Sequence, residues 1–372
     1  MSKINELIKE MCPNGVEFKK LEDCCNILDN KRKPISKGIR EMGEYPYYGA
    51  NGIQDYISDY IFDGKYVLVG EDGSVQTPNG TPIVNWAIGK IWVNNHAHII
   101  EEIDGVSLRY LYHYLQIVDV KDLIHGNIPK LNQSNFRNIK IAVPPLEVQE
   151  EIVKILDKFG ELEAELEAEL EARKSQYEFW RGQMFKQNEN CKISDLYTRV
   201  KGTPITAGKM KEIEDPTGKI RIFAGGQTAV NANHEDIPKA NIIDYPCVIV
   251  QSRGLIDFVY YDKPFTFKNE MWAYTCNNQV TVKYLYYYLK NNVNYFREIG
   301  AQMGSMPQIS LPVTEKFEMY LPSLEEQKKI VNILDKFEEL INNISIGLPT
   351  EIELRRQQYE YYRNKLLSFE EL

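Results

Sequence analysis

One stretch of this chain is written twice. VPPLEVQEEIVKILDKF at 143–159 returns as LPSLEEQKKIVNILDKF at 321–337, with Pro144, Leu146, Gln149, Ile152, Ile155, Leu156, Asp157 and Phe159 matched at a shift of 178. Further on, RKSQYEFWR at 173–181 returns as RRQQYEYYR at 355–363 at a shift of 182, so the second copy carries four extra residues. An internal repeat of this size sets the architecture and outranks any local motif. Each copy has apolar residues three and four apart behind a proline entry and glutamates that suit the positive end of a helix. The first copy predicts one long helix over 145–186. The second predicts a helix broken near Gly347 and Pro349, because neither residue sits well inside one. Two apolar stripes in one chain can cover each other, so the pair is expected to pack antiparallel.

The segments between the helices repeat more faintly. KISDLY at 192–197 answers KKLEDC, FAGGQ at 223–227 answers YGANG at 48–52, and VIVQSRGLI at 248–256 answers VLVGEDGSV at 67–75. VKYLYYYLK at 282–290 matches SLRYLYHYLQ at 107–116, and GSMPQI at 304–309 matches GNIPKL at 126–131. Short β-rich runs separated by Gly and Asn turns predict a twisted, mostly antiparallel sheet. The Tyr-rich segments have helical spacing and read as packing beneath that sheet. The fold class is therefore α+β: two similar α/β globular domains separated by a pair of long antiparallel helices, with an internal pseudo-twofold repeat. The expected boundaries are 1–143 and 188–321 for the domains and 144–187 and 322–372 for the helices.

With 372 residues, 43% apolar and 26% charged, the chain has room for several cores. Neither a long apolar run nor a signal-like start is present, so no membrane is involved and a cytoplasmic location is expected. Six cysteines without metal-like spacing read as reduced thiols. A net charge of −9 argues against indiscriminate nucleic-acid binding but allows local basic faces.

Catalytic readings fail one by one. KGTPITAGKM at 201–210 is not a phosphate loop: five residues separate Gly202 from Gly208, and Met210 stands where a Ser or Thr should hold magnesium. There is no aromatic tetrad for amino methylation, no HExxH and no GxSxG. His96 and His98 lack a third metal ligand in the sequence, and Glu71 and Asp72 read as turn residues before Gly73. No catalytic residue and no metal site is assigned.

A DNA-binding reading does better, since it needs cations for phosphates and Arg, Lys, Asn or Gln for base edges. The candidates in the first half are Lys31, Arg32, Lys33, Asn51, Gln54, Lys130, Asn132 and Gln133. Those in the second are Lys201, Thr203, Lys209, Lys211, Gln227, Ser252, Arg253, Lys268, Asn269 and Gln308.

The opening CPNGVEFKKLEDC, the paired PPLEVQEEIVKILDKF and PSLEEQKKIVNILDKF, the helix ends ARKSQYEFWR and LRRQQYEYYR, and GLPTEIE at 347–353 together resemble the DNA-specificity subunit of type I restriction-modification enzymes. The resemblance implies two target recognition domains, each reading half of a split target in double-stranded DNA. It also implies two modification (methyltransferase) subunits docked on the helices, and restriction/translocase subunits beyond them. S-adenosylmethionine, ATP and magnesium then belong to those partners, and none to this non-catalytic chain. ELEAELEAELEA at 161–172 is one tetrapeptide written three times. Each copy lengthens a helix by about 6 Å, against about 3.4 Å per base pair, so copy number is expected to set the gap between half-sites. The rival reading is a coiled-coil scaffold with two protein-binding domains.

Overall fold

The computed structural model describes residues 2–73, 75–185, 191–237, 241–302, 306–342 and 347–372. The chain forms two compact units, Met1–Glu167 with Glu351–Leu372, and Ala168–Thr350. The first unit is thus closed by both chain ends. The second lies wholly between them.

The first unit opens on helix α1 (Ser2–Met11) and strand β1 (Glu17–Lys20). Strands β2 (Asn26–Ile27), β3 (Met42–Gly49), β4 (Gly52–Ile57), β5 (Phe62–Gly70), β6 (Val84–Val93) and β7 (Ala97–Glu101) form one sheet in the order β2-β7-β5-β6-β3-β4. Its ladders are antiparallel except for a short parallel register between β3 and β6. The alternation of strand side chains builds two cores at once: Val67 and Val69 face the helical layer, while Leu68 faces a separate cluster with Tyr48, Phe62 and Ile91. Helices α2 (Leu108–Leu115) and α3 (Gln133–Arg137) follow, then β8 (Lys140–Val143), which pairs antiparallel with β1, so the chain leaves the globular part beside its point of entry.

Helix α4 (Leu146–Met184) is unbroken for 39 residues. Its Leu, Glu and Ala content outweighs the helix-weakening Gly160. Residues up to Glu167 belong to the first unit and those from Ala168 to the second.

The second unit is closed by the short ladder of β9 (Cys191–Lys192) with β17 (Glu318–Met319), the counterpart of β1 with β8. Its elements in order are α5 (Ile193–Leu196), β10 (Thr198–Lys201), α6 (Ala207–Glu212), β11 (Ile220–Phe223), β12 (Ala229–Ala232), β13 (Cys247–Gln251), β14 (Asp257–Tyr261), β15 (Phe265–Phe267), β16 (Trp272–Thr275), α7 (Gln279–Asn291), α8 (Val293–Ala301) and α9 (Leu311–Glu315). The strands divide into a four-stranded sheet, β10-β16-β13-β14, and a three-stranded one, β12-β11-β15. Helix α10 (Leu324–Asn342) ends before the expected break, and α11 (Leu348–Leu367) restarts with Pro349 in its first turn, where the missing N–H has no helical partner to lose.

What the repeat preserves is the way a globular part grips its helix. In the first unit Gln149, fully buried, donates to Pro144 O at 2.8 Å and accepts from Ser107 N at 2.9 Å. In the second, Gln327 donates to Pro322 O at 2.8 Å and accepts from Thr281 Oγ1 at 2.8 Å. Tyr110 donates to Ala142 O and Tyr284 to Tyr320 O, both at 2.9 Å. Asp157 takes Arg109 and His113, each at 2.8 Å, while Asp335 takes Lys283 at 2.8 Å and the Tyr287 hydroxyl. The tyrosines of α2 and α7 are thus core residues, as their helical spacing indicates. In the first unit α11 lies antiparallel to α4: Phe159 stacks on Tyr362 at 5.4 Å, and Arg356, earlier on α11, reaches Glu163 and Glu167, later on α4.

The two grips titrate in opposite senses. Burial lowers the pKa of His113, with Asp157 opposing and Arg109 and Arg363 assisting, and the net value lies below the ordinary 6.5. His113 accepts from the Tyr359 hydroxyl at 3.0 Å and donates to Asp157, as the neutral ring can. Burial raises Asp157, but the bonds from His113 and Arg109 outweigh it and hold the carboxyl low. In the second unit burial raises Glu338, although the hydroxyls of Tyr286, Tyr287 and Tyr177 bond to it. The depressed His113 and Asp157 give stability that is present above their unfolded values and lost as pH falls; the raised Glu338 gives stability present at low pH and lost as pH rises through its folded value. The unfolding free energy of the wild type is therefore expected to fall between pH 6.5 and 5 more than that of His113→Gln, with urea unfolding as the check. Parallel pH profiles for the two proteins would contradict this.

Candidate nucleic-acid interface

The first unit's sequence-predicted residues divide into exposed cations and members of a buried network. Lys31 and Lys33 are exposed on the loop after β2, Asn51 is exposed at the β3–β4 turn, and Gln54 is exposed on β4, where it accepts from Asn94 at 3.2 Å. Arg32 turns inward. Its guanidinium meets Glu71 at 2.6 Å and Ala97 O at 2.6 Å, and lies 3.4 Å from Asp29. Lys130 reaches the other Glu71 oxygen at 3.1 Å, and Gln133 donates to Asp29 at 3.2 Å. Asn132 caps α3 by accepting from Asn135 N, the usual work of an Asn at that position.

His98 completes this network and was not singled out with Arg32 by any spacing in the sequence. It is fully buried, stacked on Phe136 at 4.1 Å, with Nδ1 2.7 Å from Asp29 and Nε2 2.8 Å from Leu131 O. The ring thus ties the Asp29 carboxylate to the Leu131 backbone, and Arg32 and Lys130 are the cations set against the Asp29 and Glu71 carboxylates. Burial raises the Asp29 carboxyl, but the His98 bond, His98 and Arg32 charges and Ile99 N together bring it below its ordinary value. The carboxylates of Asp29 and Glu71 supply in space the further ligands that the sequence lacked beside His98. They do not make a metal centre, because Arg32 and Lys130 already occupy the oxygens that a cation needs. His96 bonds to Asp72 on the neighbouring turn.

In the second unit the structure gathers Lys211, Arg253 and Lys268 around one open cleft of about 610 Å³, with Gly225, Gly226, Gly254, Glu270 and Met306 also lining it. The glycines keep its floor free of side chains. Gly226 N donates to Arg253 O at 3.0 Å, and both Gly226 and Gly254 have positive φ, 68° and 72°. Lys268 pairs with Glu270 at 2.6 Å, Lys209 with Glu212 at 2.7 Å, and Arg253 donates to Gln308 at 3.2 Å. Lys201, Gln227 and Asn269 are exposed. Two candidates are turned away from any ligand: Thr203 is fully buried against Thr266 at 2.7 Å, and Ser252 is buried and donates to Glu270 O at 3.1 Å. A hydroxyl beside Gly or Arg in sequence gives no sign of which way its side chain faces.

The sequence pattern of the type I restriction modification DNA specificity domain matches residues 13–172 and again 185–354. The chain belongs to that family. A Haemophilus influenzae protein provisionally named a type I restriction enzyme specificity subunit is 35% identical over 95% of this chain and 96% of its own length. The Escherichia coli EcoR124I/EcoR124II specificity subunit is 32% identical over 70% of this chain and 71% of its own. Among solved structures, the S subunit of a type I restriction-modification system from M. genitalium superposes with a TM-score of 0.63 at 15% identity, covering 95% of this chain and 97% of that one, which shows the shared fold. The two specificity domains, mixed helix and sheet, and the long helix are as the repeat predicts.

All six cysteines of this specificity chain are unpaired, and among the described residues no helix is long and apolar enough to cross a membrane. The Asp29 network makes a specific demand on the first unit. Asp29→Ala removes one of the two carboxylates beside the buried Arg32 guanidinium and the partner of His98 Nδ1 and Ile99 N, and is expected to cost about 3–5 kcal/mol. Urea unfolding measures it, and a loss below about 1 kcal/mol would show that the network is not under strain when broken.

Proposed function

We propose that this chain is the non-catalytic, sequence-reading subunit of a type I restriction-modification complex, with each unit reading one half of a bipartite DNA target. The single observation that carries this is the twice-matched DNA specificity pattern, laid over two units that share one helix grip and differ in their polar loops. A shared frame with divergent loops suits two different half-sites. The relatives' names speak of a restriction enzyme, and the partner subunits inferred from them bring S-adenosylmethionine, ATP and magnesium; this chain contributes none of the three. A cytoplasmic location follows from work on intracellular DNA.

Docking of two methyltransferase subunits is supported by apolar positions left exposed in both copies of the helix. Leu146 and Leu324 are 42% and 41% exposed, and Phe179 and Tyr361 are 58% and 59% exposed. Repetition of the same uncovered positions fits two copies of one partner seated alike. The scaffold reading lacks any reason for the doubled DNA specificity pattern.

The test is co-expression with the neighbouring methyltransferase in a host free of other adenine methylation, followed by genome-wide mapping of N6-methyladenine. A single motif of two half-sites with a constant gap is the expected result; methylation without sequence selection contradicts it. Removing one ELEA unit from 161–172 shortens α4 by about 6 Å. The mapped gap is then expected to shrink by about one or two base pairs, at about 3.4 Å each, and an unchanged gap removes the ruler role.

A further inference from the structure

Two exposed apolar side chains occupy the same place in the two units. Ile128 is 69% exposed and Met306 61% exposed, and they are 178 residues apart, the shift of the helix repeat. Each is followed by a proline whose carbonyl accepts a bond from a glycine N–H: Gly73 to Pro129 and Gly254 to Pro307, both at 2.9 Å. Those glycines have positive φ, 79° and 72°, which allows the sharp turn on the other side of the contact. One residue on, Lys130 bridges to Asp72 and Gln308 to Arg253. One further, Leu131 N donates to Glu71 O at 2.8 Å and Ile309 N to Ser252 O at 2.9 Å, with Leu131 and Ile309 both buried. Each apolar tip therefore stands on a loop pinned at three successive residues, and it projects from the fold.

A lone exposed Ile or Met needs no explanation. The pair does, because the polar residues around it have diverged (Glu71 to Ser252, Asp72 to Arg253, Lys130 to Gln308) while a large apolar tip has stayed. Leaving such a side chain in water forgoes the free energy of burying it. The tips are single residues with exposed polar neighbours such as Asn127 and Lys130, or on the rim of a cleft lined by Lys211, Arg253 and Lys268. That is too small for the apolar centre of a protein interface. It suits a base stack, which accepts a branched or an unbranched side chain alike, flanked by cations for the phosphates.

We propose that Ile128 and Met306 are equivalent wedges, each set against the stacked bases of the half-site that its unit reads and prising open one base step. The assignment rests on the DNA-reading function above. It adds a contact that distorts the duplex to those that recognise base edges.

The experiment uses the full chain with its methyltransferase subunits and duplexes of the mapped target carrying 2-aminopurine at successive positions other than the methylated adenine. Wild type is expected to brighten the probe at one step in each half-site. Ile128→Ala loses the signal in one half-site only, Met306→Ala in the other only, and each lowers specific affinity about 10–100-fold with an unchanged salt slope. Thermal melts control for folding, which these exposed positions should leave intact. Retention of both signals with affinity within twofold overturns the proposal, as does a benzophenone at position 128 or 306 that crosslinks to methyltransferase and not to DNA. A wild-type complex that selects no sequence overturns the DNA-reading function itself, so the two failures are told apart.

Discussion

The buried amide of Gln149, and its repeat Gln327, is the contact on which the rest of each unit depends. It sits one turn into the long helix and is the point where helix, entry proline and the start of the tyrosine-rich helix meet, at the cap residue Ser107 in one unit and at first-turn Thr281 in the other. An apolar residue there would leave a carbonyl and a donor unpaired in the core, at about 1–3 kcal/mol for each group. Around that amide the Tyr110 and Tyr284 hydroxyls bond to the carbonyls of Ala142 and Tyr320, and Asp157 and Asp335 take the cation about two turns further on. The grip is directional and polar. It therefore fixes where along the helix a globular part is held, which an apolar stripe alone does not.

The same contacts account for how much of the fold is legible in the sequence. The repeat is legible because Gln149 and Asp157 each bond to more than one group and Ile152 is buried in the core, and few substitutions satisfy all of these. The helix break was legible because Gly347 and Pro349 state their backbone needs locally. The candidate interface was less so. Arg32 and Lys33 look alike in sequence, yet one is sunk in a network with Asp29, Glu71 and His98 while the other is exposed, and of these partners Glu71 and His98 lie tens of residues away. Thr203 and Ser252 were likewise placed by strand and turn geometry that no neighbouring residue announces. Ile128 and Met306 stand out when the shift of 178 is carried into the loops, where both stay apolar while polar positions beside them, such as Lys130 and Gln308, differ.

The two units also show how one frame is made to serve different ends. Their closing ladders and helix grips correspond, whereas the first has a single six-stranded sheet and the second a four- and a three-stranded one. Divergence is concentrated where loops carry Asn51, Gln54 and Lys130 in one unit and Arg253, Lys268 and Gln308 in the other. The network beneath Lys130 holds that loop from below: Leu131 O accepts from the buried His98 ring, and Gln133 is tied to Asp29. Rigid support under a variable surface is what base reading needs, since a loosely held side chain discriminates poorly.

The central claim, that the two units read independently on a common frame, is tested most directly by exchange. Residues 193–320 would be replaced with the matching segment of a specificity subunit that reads another target, and the methylated motif mapped in the assembled complex. The account predicts that one half-site changes to the donor's while the other half-site is retained. Alteration of both half-sites, with the hybrid shown to be folded and assembled, would contradict it.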